Sequence, residues 1–127
     1  MDSNLLNISK IESFFYSLLY KKLSSNVFFT SLPPAMNATW KDMILVDIDV
    51  SDNNVGEGFV NIFLYSKPMG DSRKNVAQLS LMETKLNELI SKSYDEHYHI
   101  TRLRTYSDYD NARKLFCSIV SLGIKII

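Results

Sequence analysis

Apolar residues recur at steps of three and four from Leu5 through Ile8, Ile11, Phe15, Leu18 and Leu19 to Leu23, a spacing that lines one side of an α-helix. Ser9 and Glu12 have the spacing of a capping box, with Asp2, Ser3 and Asn4 as earlier starts. Phe14, Tyr16 and Tyr20 carry the apolar surface beyond that stripe, so the helix is either deeply packed or shared with a neighbour. Ser24, Ser25 and Asn26 end it, and Val27 to Thr30 reads as a short strand. Leu32-Pro33-Pro34 then forces an extended turn, because proline fixes its own backbone angle and restricts the residue before it.

From Met43 the period changes to two. Ile44, Val46, Ile48 and Val50 fall on one side of a strand, with Asp47 and Asp49 on the other. The run from Asp52 to Gly58 is dense in residues that tolerate positive φ, and Phe59 to Ser66 resumes as a strand, which predicts a hairpin with a mobile tip. Lys67 to Asn75 mixes proline, glycine and charge without periodicity and reads as a flexible loop. Leu79, Met82, Leu86, Leu89 and Ile90 define a second helix, with Asn75 as its cap and Ser91 to Asp95 as its exit. Tyr98 to Tyr106 alternates as a strand, Ser107 to Asn111 turns, and a final strand runs from about Lys114 to Ile127 with Phe116, Val120, Leu122, Ile124 and Ile126 on one face. These elements predict one α+β domain over residues 1–127, a mostly antiparallel sheet against two helices in the order helix-strand-strand-strand-helix-strand-strand.

Composition narrows the function classes. A chain of 127 residues supports one core without needing a metal or disulfide. Fourteen basic residues match fourteen acidic ones, which removes the global electrostatic argument for nucleic acid or an anionic membrane as main partner. The single Cys117 excludes an internal disulfide framework and, with no signal-peptide pattern at the start, fits synthesis in a reducing cytosol. No apolar run approaches a membrane span.

Asp47 and Asp49 project from one strand face, as paired carboxylates holding a divalent metal do, yet alternation on a half-buried strand gives the same pattern and no third ligand is evident. His97 and His99, beside Glu96, have a spacing for two metal ligands, against the simpler reading of polar residues at a strand start. Cys117 within the last strand reads as a small buried hydrophobe, with no base placed to activate it. Arg102 and Arg104, interleaved with Tyr98, Ile100 and Tyr106 on one predicted face, offer either a stacking surface for single-stranded nucleic acid or cross-strand partners for Asp47 and Asp49. No phosphate-binding glycine loop or nucleophile elbow occurs among the four glycines.

The helix Leu5 to Leu23, the turn at Leu32-Pro33-Pro34, the hairpin Met43 to Ser66 with its Gly56-Glu57-Gly58-Phe59-Val60-Asn61-Ile62 return, the helix Gln78 to Ile90 and the two closing strands together resemble the tail-completion or tail-terminator (head-tail joining) proteins of long-tailed bacteriophages. The resemblance spans nearly the whole chain and lies in element order and hydrophobic pattern. It implies a virion structural protein without catalytic residues or cofactors, assembled in the host cytoplasm into a ring, typically of six, at the tail-to-head junction. Such a ring stops polymerisation of the tail tube protein, docks to the head connector, lets DNA pass without sequence-specific binding, and involves no membrane. It makes Lys67, Arg73 and Lys74 of the loop candidates for lining the channel or clasping a neighbour. Channel linings of this kind are often acidic, a role open to Asp52, Glu57, Asp71, Asp108 and Asp110 instead. The competing class is a non-enzymatic binding module that recognises a protein or nucleic acid along an open sheet edge.

Overall fold

The computed structural model describes residues 7–50, 56–93 and 97–126. Two helices, α1 (Ile8–Leu19) and α2 (Val76–Lys92), and five strands, β1 (Val27–Phe29), β2 (Asp42–Asp49), β3 (Glu57–Ser66), β4 (Tyr98–Asp110) and β5 (Leu115–Ile126), follow one another in the predicted order. The strands form one sheet ordered β1-β2-β3-β5-β4, antiparallel throughout except where β1 runs parallel to β2. The chain is thus an α+β domain with a mostly antiparallel sheet packed against two helices.

Both helices lie on one face of the sheet. Ile11, Phe15, Leu18 and Leu19 from α1 and Leu79, Met82 and Leu86 from α2 are buried against Ile44, Val46, Val60, Ile62, Leu64, Val120, Leu122 and Ile124. The strand residues of that set are all even-numbered, as the period of two requires. Each helix starts on an asparagine whose side chain satisfies a free backbone donor: Asn7 Oδ1 accepts from Lys10 N at 3.1 Å, and Asn75 Oδ1 from Gln78 N at 3.2 Å. Asn75 is the expected cap. For α1 the Ser9–Glu12 box does not form, because both residues already lie inside the helix, while Asp2, Ser3 and Asn4 fall outside the described residues.

Helix α1 also stops four residues before Leu23. Lys21 adopts φ 63°, a left-handed conformation that ends the helical run, and Leu23 N bonds back to Leu19 O. The polar residues that follow are used rather than exposed. Ser24 Oγ donates to Asp42 Oδ1 at 2.6 Å, Gln78 Nε2 donates to Asp42 Oδ2 at 3.2 Å, and Asn26 Nδ2 donates to Asp42 O at 2.9 Å. One buried carboxylate therefore ties the end of α1, the start of β2 and the first turn of α2 together.

The opposite face carries a smaller core. Met43, Tyr65, Leu115, Cys117 and Ile119 are buried there beneath Leu32, Met36 and Trp40 of the 31–41 segment. The proline-marked turn is thus a cover for half of this face. Arg113 holds it in place, donating from Nε to Pro33 O at 2.8 Å and from Nη2 to Leu32 O at 3.2 Å, with Nη1 on Asp110 Oδ2 at 3.1 Å.

Strand β4 runs through Ser107–Asp110, where the sequence reads as a turn. The chain reverses later, at 111–114, with Asp110 Oδ1 accepting from Arg113 N at 3.0 Å and Lys114 at φ 57°. Of the expected β2–β3 hairpin tip, Asp52 to Gly58, residues 52–55 lie outside the described residues, while Glu57 and Gly58 already belong to β3.

Candidate functional site

The half of the second face that the 31–41 segment leaves uncovered is crossed by rows of side chains fixed by strand register. One row reads Asp47, Asn61, Ser121 and Arg104, and the next Asp49, Phe59, Gly123 and Thr101. Ser121 Oγ donates to Asn61 Oδ1 at 2.7 Å, so the middle of the polar row is internally satisfied. Phe59 is 50% exposed in the row beyond it. Phe59, Glu57, His99, Leu103, Gly123 and Lys125 line a shallow depression of about 290 Å³ near the end of the sheet. A Cβ at Gly123 would make an ordinary contact with Leu103 Cδ2, at 3.8 Å.

Strand β4 bounds this surface as an edge strand. Over its thirteen residues no side chain is fully buried, and Leu103, Tyr106 and Tyr109 are large apolar groups in contact with solvent. A register shift between Arg102 and Arg104 marks a bulge at Leu103. Before the bulge the even residues face the helices, Arg102 lying opposite Leu122. After it the even residues turn to the second face, Arg104 lying opposite Ser121 in its uncovered half, and Tyr106 opposite Ile119 and Asp108 opposite Cys117 beside the covered half.

The bulge corrects the expectation that Arg102 and Arg104 share a face. Arg102 turns to the helix side and bonds Thr105 Oγ1, whereas the Arg104 guanidinium sits 4.5 Å from the Tyr106 ring centroid on the open side. Pairing of either arginine with Asp47 or Asp49 is also ruled out, since β3 and β5 stand between β2 and β4.

The basic residues of the 67–75 loop are engaged within the molecule. Lys67 Nζ donates to Ala38 O at 3.0 Å, Lys74 Nζ donates to Ser107 Oγ at 3.0 Å, and Arg73 pairs with Asp71 at 2.5 Å. Lys67 and Lys74 thereby tie the loop to the 31–41 cover and to β4. The proposed acidic lining is dispersed: Glu57 lies 3.7 Å from Lys125, Asp71 is taken by Arg73, Asp110 by Arg113, and Asp52 lies outside the described residues. Asp108 remains exposed on β4, accepting from Tyr109 N.

The chemical candidates stay apart. Asp47 and Asp49 share the open face without a third ligand, and His99 lies across from Lys125; among the described residues no three His, Cys, Asp or Glu side chains converge on a point where a metal would sit. Cys117 is 3% exposed, as expected of a buried hydrophobe. Burial first, then the charges of Asp108 and Asp110, push its thiol up to about 11. Tyr65 beside it is raised chiefly by burial too, its hydroxyl donating to Asp110 Oδ2 at 3.4 Å.

Sequence reasoning missed the exposed apolar groups Phe59 and Leu103. Phe59 had a legible signal: it falls in phase with Asn61, on the side opposite the apolar Val60 and Ile62. Leu103 had none, because only the bulge sets its direction. Compared with known proteins, the sequence matches no family model and no curated protein.

Proposed function

We propose that this chain is a structural assembly subunit that forms the ring at the tail-to-head junction of a long-tailed bacteriophage, ending the tail tube and docking to the head connector around the DNA channel. The proposal assigns it no catalytic chemistry. Edge strand β4 carries the reading: thirteen residues of sheet edge, bearing Leu103, Tyr106 and Tyr109 in solvent, are a surface that another protein chain completes. The element order that underlies the resemblance supports the same reading. So does the open half-face beside β4, which offers a continuous polar and aromatic surface to a tube or connector protein.

In this reading the 67–75 loop acts through placement more than charge. Lys74 holds it against Ser107 of β4, beside the assembly edge, and Lys67 anchors its start to Ala38. Disrupting this chain in a phage that encodes it tests the proposal. Electron microscopy of the lysate should show filled heads without tails, and tails of uncontrolled length without heads. Normally joined particles would refute it.

A further inference from the structure

An edge strand offers a row of backbone donors and acceptors to any strand of suitable sequence, and charged side chains decide which strand that is. Along the edge of β4 the order is Arg102, Leu103, Arg104, Thr105, Tyr106, Ser107, Asp108, Tyr109 and Asp110. Read outward from Tyr106, each position is matched by a chemical complement: threonine by serine, arginine by aspartate, leucine by tyrosine, arginine by aspartate. When such a strand pairs antiparallel with a copy of itself, residues equidistant from the centre lie opposite each other, so the pattern is self-complementary.

The geometry keeps this complementarity where it counts. Past the bulge, Arg104, Tyr106 and Asp108 all point to the second face, away from the helices, while Thr105 and Ser107 face the helix side. Across a two-fold axis through Tyr106, normal to the sheet, Arg104 of each copy stands opposite Asp108 of the other on the same face. Directly opposed side chains of a strand pair have Cβ atoms about 4.5–5.5 Å apart, within reach of an ion pair. Arg104, Tyr106 and Asp108 are all exposed, and among the described residues neither Arg104 nor Asp108 is held in an ion pair. Centring on Arg104 sets arginine against arginine, centring on Asp108 sets aspartate against aspartate, and centring on Ser107 sets Arg104 against Asp110, whose carboxylate Arg113 already holds. Arg102 adds nothing to the pairing, because the bulge turns it to the helix side, opposite in direction to Asp110.

We propose that β4 is the docking edge for a second copy of this chain, two free subunits joining β4 to β4 antiparallel about Tyr106 into one continuous sheet. This pairing goes beyond the tail-junction reading and stands without it. Where that reading holds, the dimer is the resting form, which masks the assembly edge until the subunit meets the tail.

Charge reversal combined with mixing tests the pairing. Mass should be followed by native mass spectrometry and sedimentation from about 1 to about 300 µM. Wild type should pass from monomer to dimer. R104D and D108R, changed at exposed positions, should each keep the wild-type melting temperature and each weaken the dimer about tenfold or more, because two symmetric attractions become two repulsions. An equimolar mixture of the two variants should recover wild-type affinity as a heterodimer, since both contacts then join opposite charges, a result that misfolding cannot produce. Wild type that stays monomeric over the range would overturn the pairing, as would single variants that dimerise unchanged or a mixture that recovers nothing. A six-subunit species insensitive to both substitutions would likewise overturn it while leaving the tail-junction reading in place.

Discussion

Replacing Arg113 with alanine removes the clamp between the 31–41 cover and the sheet. The guanidinium makes three hydrogen bonds, to Pro33 O, Leu32 O and Asp110 Oδ2. Its side chain is 23% exposed and that of Asp110 14%. Hydrogen bonds from a charged group contribute roughly 1.5–3 kcal/mol each, and breaking a buried ion pair costs about 3–5 kcal/mol. Partial exposure lets water replace part of what is lost, so the expected destabilisation is about 3 kcal/mol. For a domain of this size that lowers Tm by about 10 °C.

The pH dependence supplies a second signature of the same contact. Burial acts to raise the Asp110 carboxyl, but the hydrogen bonds and charge of Arg113 outweigh it and hold the pKa below its ordinary value of 3.8. A group whose pKa is depressed on folding contributes stability that is present above the unfolded value and is lost as pH falls through the folded one. The gap in Tm between wild type and R113A should therefore be full at neutral pH and narrow below about pH 4. Thermal melts by circular dichroism at several pH values, with limited proteolysis of residues 31–41, measure both effects. A variant within about 2 °C of wild type at neutral pH, and no more readily cleaved, would refute the clamp.

Three further outcomes follow from the packing. Phe15 is wholly buried between the helices and the sheet, so F15A should cost about 3–5 kcal/mol in denaturant unfolding; a cost under about 1 kcal/mol would contradict its place in the core. D42A leaves Ser24 and Gln78 without their shared acceptor and should cost about 2 kcal/mol, with S24A non-additive in the double variant; additive losses would show that the three residues do not act as one network. The Cys117 thiol, buried and raised to about 11, should ignore a disulfide reagent at pH 8 in the folded protein and react once denaturant is added. Prompt reaction of the folded protein would show the strand to be open there.

The fold was legible where one period dominated. Ile44, Val46, Val60, Ile62, Val120 and Leu122 declare a sheet face by strict alternation, and Asn75 declares a helix start because its short side chain reaches the donor at Gln78. Other features depend on contacts distant in sequence. The parallel pairing of β1 with β2 follows from how the chain crosses the sheet, which three residues of strand cannot encode. Ser107–Asp110 has turn composition but lies in β4 because β5 supplies its partners, and Arg113 takes over the turn chemistry through Asp110. The bulge at Leu103 escapes alternation arguments, since Arg102 and Arg104 read alike in either phase. The cover of Leu32, Met36 and Trp40 was written as apolar residues in a proline-marked stretch. What they pack against is set by Arg113, some eighty residues away.

Hydrogen exchange of the β4 amides as a function of protein concentration tests most directly whether this strand is the assembly edge. Between about 1 and about 300 µM, exchange within Tyr98–Asp110 should slow, most strongly around Tyr106, while α1 and α2 exchange at constant rates. Self-association accompanied by unchanged exchange in β4, with protection appearing on the helices instead, would contradict the account.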